Sequence, residues 1–141
     1  MSRTTGERFA RALADKDRDR LHALLAGEID FRALTPSRYW VAKTPGEVVD
    51  DVVLGCWFAS EDYIRELVSV TTGQLADREH IAYRLRVRNP DGDFIVEQQA
   101  YYTVDGDQIN WMRVLCSGYR PEHPAVAREV ADQESRLTAS G

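Results

Sequence analysis

Four runs between Tyr63 and Gly118 alternate with a period of two, and only a few turn-forming residues separate each from the next. The runs are YIRELVSVTTGQL, EHIAYRLRVRN, DFIVEQQAYYTV and QINWMRVLCSG, joined around ADRE, NPDG and DGD. Runs of this length with hairpin connectors read as a long antiparallel meander. Nothing of that kind precedes Tyr63. Residues 5–26 carry Phe9, Leu13, Leu21, Leu24 and Leu25 at near-helical spacing, with Thr4 or Thr5 as a cap, Gly27 as a stop and a break near Asp15 to Asp19. IDFRAL reads as a short strand, and TPSRYWVAK as a loop or a continuation of it. Thr44-Pro45 opens a second amphipathic helix over about 45–59, built on Val48, Val49, Val52, Val53 and Trp57. Helices followed by a meander predict an α+β fold.

Turn chemistry assigns faces to the sheet. NPDG fits a type I turn with Gly92 left-handed and Asn89 opposite Asp93, so that odd residues pair with odd. A two- or four-residue loop at Asp105-Gly106 then swaps parity at the last hairpin. A three-residue bulged loop there would invert the last strand relative to the others. One face would hold Ile81, Tyr83, Leu85, Val87, Ile95, Glu97, Gln99, Tyr101, Thr103, Asn110, Met112, Val114 and Cys116. It is apolar with a few polar groups at its centre, the make-up of a ligand pocket. The opposite face would carry Phe94, Tyr102, Trp111 and Leu115 among Arg84, Arg86 and Arg88. So large an aromatic patch calls for a partner.

Composition excludes some classes. The 141 residues favour one domain, expected over 1–124, with a polar tail over 125–141. The net charge of −5 argues against nucleic acid as the main partner, and the three aligned arginines are expected to pair with acids rather than bind phosphate. No segment is apolar enough to cross a membrane, and the charged N-terminus does not read as a signal peptide. Cys56 and Cys116 form neither a metal spacing nor a disulfide framework, so the cytoplasm is the expected compartment. No His/Cys/carboxylate cluster suggests a metal, and no Gly-rich phosphate loop suggests a nucleotide cofactor.

The order helix, strand, loop, helix, meander resembles the NTF2-like cone, and within it the SnoaL-like group of small bacterial proteins. The residues that carry the resemblance are FARALADKDRDRLHALLAGEIDFRAL at the start and Asp105, Gly106, Ile109, Met112, Arg113 and Val114 at the end. It implies a conical pocket between sheet and helices, a homodimer through sheet faces, and members that isomerise, cyclise, dehydrate, hydrolyse epoxides or have no activity. The Tyr and two Asp of the steroid isomerases fall on Phe9, Ala33 and Gln99 here. The strand Arg-x-Asp of the epoxide hydrolases is absent, and His80 lacks the Asp that accompanies it in the cyclases.

These readings predict a cofactor-free small-molecule pocket. Glu97 is the expected proton carrier, because a carboxylate among Ile95, Val87 and Leu85 would lose hydration. Gln99 and Tyr101 would hold an oxyanion or a water. Tyr83, Trp40, Tyr39, Asn110, Met112, Val114, Cys116 and Trp57 would line the substrate. Three functions stay open: an acid–base enzyme acting on an apolar cyclic molecule, a carrier of such a molecule, and an interaction protein whose pocket is plugged.

Overall fold

The computed structural model describes residues 3–122. The expected tail over 125–141 and His123 lie outside them. Two short helices come first: α1, Thr5–Ala14, capped by Thr4 accepting from the Glu7 amide, and α2, Arg18–Ala23, capped by Asp17. The break between them falls where the sequence places it, at Asp15 to Asp17. The strands are β1 (Leu25–Thr35), β2 (Arg38–Ala42), β3 (Tyr63–Leu75), β4 (Arg78–Asn89), β5 (Gly92–Asp105), β6 (Gln108–Cys116) and β7 (Arg120–Pro121). They form one sheet in the order β2-β1-β6-β5-β4-β3, with β7 added beside β5. The pairings are antiparallel except that β1 runs parallel to β6. This is the α+β architecture expected.

All four hairpins close with two-residue loops, at 36–37, 76–77, 90–91 and 106–107. At NPDG this overturns the predicted register. Asn89 pairs with Gly92, not Asp93, because its side-chain oxygen accepts from the Asp91 amide at 2.8 Å and tightens the turn. Gly92 takes a φ of +133°, outside the reach of most side chains. A shift of one residue turns every side chain of a strand over. Thus β5 presents Val96, Gln98, Ala100 and Tyr102 to the interior, and Glu97, Gln99 and Tyr101 to the outside. A bulge at Thr103/Val104 then pairs even residues with even, so Met112, Val114 and Cys116 point inward as predicted. Of the three long strands assigned by parity, only β5 is reversed.

The second predicted helix is present, but it is π-wound. Glu47–Trp57 runs with i→i−5 bonding, continued by the Phe58 amide to the Val53 carbonyl at 2.8 Å. Thr44 accepts from the Glu47 amide at its start, as its Thr-Pro opening suggests. Its buried face is Val48, Val49, Val52, Val53 and Trp57, which the sequence already named. These close over the sheet interior formed by Phe31, Ile81, Leu85, Val96, Met112 and Val114. Side chains of this size each gain roughly 1.5–3 kcal/mol on full burial, and this layer supplies the main cohesion of the fold.

Candidate functional site

The interior is almost wholly apolar. Among the described residues, the buried polar or charged side chains are Thr5, Asp62 and Gln98. Gln98 sits on the inward face of β5, opposite Cys116 on β6 and beside Tyr83 on β4. The Tyr83 hydroxyl donates to Gln98 Oε1 at 2.6 Å, and burial pushes this phenol far above its ordinary pKa. It therefore stays protonated at any working pH. Gln98 Nε2 has no partner, and neither has the indole Nε1 of Trp57. Both residues are more than nine-tenths buried.

The floor between them is made of small side chains. Trp57 packs against Phe31 and Trp40 with ring centroids 6.0 Å apart in each pair. Phe31 and Ala33 run alongside Met112 and Val114. Val114 lies opposite Ala100, and Cys116 opposite Gln98. Ala33, Ala100, Val114 and Cys116 thus occupy neighbouring inward positions on β1, β5 and β6. Trp57 and Cys116 each keep 9% exposure and Val114 6%, whereas Ile81, Leu85 and Met112 keep none.

Trp57 is held firmly. Tyr119 donates to its carbonyl at 2.6 Å, and Lys16 donates to the Ala59 carbonyl at 2.6 Å. Asp62 accepts from the Ala59 amide and from Asn89 Nδ2. Desolvation lowers the Lys16 pKa and raises that of Tyr119. Sequence reasoning missed Asp62, Lys16 and Tyr119, because their partners, mostly backbone groups, are brought together only by the fold.

The predicted catalytic trio is elsewhere. Glu97 faces outward and is half exposed, accepting from Arg84 Nε at 2.7 Å. Gln99 contacts His80 Nε2 at 3.0 Å, and the Tyr101 ring lies 4.7 Å from that of His80. Asn110 accepts from the Thr103 hydroxyl rather than lining the interior, and Tyr39 is exposed. Tyr83, Trp57, Met112, Val114 and Cys116 do border the interior, and Trp40 packs on it. On the expected partner face, Tyr102 and Phe94 are corrected to the inner side. Tyr102 is buried against Gly6, and Phe94 packs edge-on to Tyr119. Trp111 and Leu115 do lie outside, with Arg78 and Arg113 stacked over the Trp111 ring. The cross-strand charges held the signal that would have fixed the register. Pairing Arg84 with Glu97 and Arg88 with Asp93 satisfies both ion pairs at once on the arginine face.

A depression of about 510 Å³ is bordered by Ser69, Thr71, Arg84, Glu97, Gln99 and Leu115 and also by Tyr83, Gln98 and Cys116, whose side chains are buried. Next to it Leu34, Tyr39 and Val41 are each about half exposed, as is Leu115. Leu34 is the cross-strand neighbour of both Tyr39 and Leu115.

The Tyr83–Gln98 pair gives a double-mutant prediction. Tyr83→Phe leaves the Gln98 amide without any partner and is expected to cost about 1–3 kcal/mol, as is Gln98→Leu, which orphans the phenol. The double variant removes both polar ends, and its loss should be well below the sum of the two single losses. Urea titrations of the three variants check it; simple additivity would show that the pair is not coupled.

The sequence matches no family model and no curated protein. Solved structures do match. A presumptive isomerase from Bacillus subtilis superposes with a TM-score of 0.67 at 10% identity, over 80% of this chain and 84% of that one. An NTF2-like protein from Burkholderia xenovorans LB400 gives 0.57 at 13%, over 80% and 86%. An LEH-like epoxide hydrolase from M. tuberculosis gives 0.58 at 11%, over 80% of each chain. At these identities the likeness speaks for the fold. The chain has the NTF2-like cone, a curved sheet closed by helices. Among the described residues, no helix is long and apolar enough to cross a membrane.

Proposed function

We propose that this chain is a small-molecule binding protein whose ligand sits in the depression that reaches Tyr83, Gln98 and Cys116. The observation that carries this reading is that depression of about 510 Å³, with the buried Tyr83–Gln98 pair in its lining. Native interiors leave few unpartnered polar groups, and the Gln98 amide nitrogen is one of them. A carrier fits the interior better than an acid–base enzyme. Among the described residues no carboxylate replaces Glu97 on the inward strand face, and the buried Asp62 is engaged with the Ala59 amide and Asn89. The interior can donate hydrogen bonds but offers no base to move a proton.

The enzyme reading keeps one foothold, the presence of Glu97, Gln99 and Arg84 on the border of the same depression. There Glu97 is ion-paired and half in water, an arrangement that surface pairs adopt without catalytic purpose. The apolar strip of Leu34, Tyr39, Val41 and Leu115 next to that depression supports a homodimer through the outer sheet face, in place of Phe94 and Tyr102. The cytoplasm suits Cys56, which is exposed, and Cys116, both free thiols.

Native mass spectrometry of the purified protein tests both parts. The expected spectrum is a dimer carrying a small neutral adduct that is lost on denaturation. Leu34→Arg, which puts a charge into the strip away from the depression, should give monomers that keep the adduct. A ligand-free dimer from several expression hosts would argue for the plugged-pocket alternative, and a monomeric wild type would end the dimer proposal.

A further inference from the structure

We propose that the cleft between α1 and β3 is a second binding site, and that it takes a small organic phosphate monoester. The cleft measures about 670 Å³ and shares no lining residue with the depression at Gln98 and Cys116. β3 is the last strand of the sheet, and no residue of β4 borders the cleft, so it lies at the sheet edge. Four guanidinium groups line it: Arg3 and Arg11 from the α1 side, Arg20 on α2 and Arg65 on β3. Two carboxylates, Asp15 and Glu66, share the wall. In a chain of net charge −5, this lining carries a cationic excess.

The acids that partner these arginines stand mostly behind the wall. Arg3 and Arg11 approach the same oxygen of Glu7 through Nε, at 3.1 Å each, and Glu7 does not border the cleft. Among the described residues, the terminal nitrogens of both make no hydrogen bond, so each keeps the fork that can grip an oxyanion. The shared oxygen holds the two Nε atoms within about 6 Å of each other, close enough for one tetrahedral anion to meet both forks. Arg65 is held more loosely. Its contact with Asp93 is 3.5 Å long, and Asp93 already accepts from two nitrogens of Arg88. Glu66 is drawn to Arg86 at 2.8 Å. Arg20 is the one matched locally, by Asp15 at 3.1 Å and Asp17 at 3.7 Å.

Count and shape set the class of ligand. A carboxylate has two oxygens and one charge, and a single guanidinium fork fills it. A phosphate monoester offers three oxygens and about −1.5 to −2 charges near neutral pH, which suits the two forks of Arg3 and Arg11 with Arg65 beside them. The organic part has a surface of its own. Ala14 and Leu67 pack on the core, Ile64 is buried, and the Tyr63 ring is 67% exposed, all four bordering the cleft. They give a flat apolar substituent a face to rest on, which inorganic phosphate would leave unused.

The test titrates full-length protein with phenyl phosphate, inorganic phosphate and benzoate, read by the backbone ¹H–¹⁵N signals of Arg11, Ala14 and residues 64–67. The expected result is saturable shifts at these positions with phenyl phosphate. Inorganic phosphate should bind at least about threefold more weakly, and benzoate at least about tenfold. Raising the salt from about 50 to about 200 mM should weaken phenyl phosphate several-fold, because the charges face water. Arg11→Gln and Arg65→Gln, from opposite walls, should each weaken it by about five- to tenfold, whereas Arg120→Gln, outside the cleft, should leave it unchanged. Arg65→Gln leaves Asp93 paired with Arg88, so its result stands even if Arg11→Gln disturbs α1. Benzoate or inorganic phosphate binding as tightly as phenyl phosphate overturns the monoester class. Shifts that both cleft variants leave intact, or no shifts at these positions, overturn the site. Shifts around Gln98 and Cys116 instead would move the phosphate to the depression and end the proposal for the cleft.

Discussion

Replacing Tyr102 with alanine should cost about 3–5 kcal/mol, the range for removing a large aromatic side chain from a packed core. The ring is 1% exposed and lies on the inward face of β5. Its hydroxyl also accepts from the Gly6 amide at 2.7 Å, one of the first-turn donors of α1 that has no partner within its own helix. The contact is so close that a Cβ on Gly6 would fall 2.6 Å from the phenol oxygen and 2.9 Å from Ile81 Cβ. Tyr102→Phe separates the two contributions. It keeps the ring, loses the acceptor, and should cost about 1–2 kcal/mol.

The same residue gives the protein an alkaline limit. Burial raises the Tyr102 pKa from 10.0 to about 12, and it also raises those of Tyr83 and Tyr119. A group whose folded pKa exceeds its unfolded value loses its proton first in the unfolded chain. The stability it contributes is therefore complete below pH 10 and falls as the pH climbs toward 12. Urea midpoints measured from pH 8 to 12 should drop across that window, and less steeply in Tyr102→Phe. An identical slope in the variant would mean that Tyr102 ionises freely in the folded protein.

Gly55→Ala is the second large effect, and its sign is unusual. In an ordinary helix interior this change stabilises by about 1 kcal/mol. Here a Cβ on Gly55 would stand 2.2 Å from the backbone carbonyl oxygen of Asp50, five residues earlier. A backbone atom cannot swing aside as a side chain does, so the helix must shift. Overpacking of this kind costs about 3 kcal/mol. Rewinding the segment as an α-helix would relieve the clash by rotating Trp57 and Phe58 away from the sheet. Loss of stability together with a changed Trp57 environment is the expected outcome, read by thermal unfolding and by the indole resonance. A variant more stable than the parent would show that Gly55 is not confined by the π-winding.

Much of the architecture was legible before any coordinates. The break between α1 and α2, the Thr44 cap, the apolar face of the π-helix and the four long strands follow from local chemistry. Capping, periodicity and turn residues act over a few positions. The register was legible in principle but was misread at one turn. NPDG accommodates loops of different length, and the Asn89 side chain chose the shorter one. That single choice moved Glu97 from the interior to an ion pair with Arg84 and moved Gln98 into the interior in its place.

By itself, the sequence determined which elements form and that the sheet has one apolar face, because those depend on neighbours in the chain. Only the tertiary structure decided which polar groups are left unpaired inside. The Trp57 indole, the Gln98 amide and the Tyr119–Trp57 bond come from three separate segments, and hydrogen-bond satisfaction is a property of their meeting.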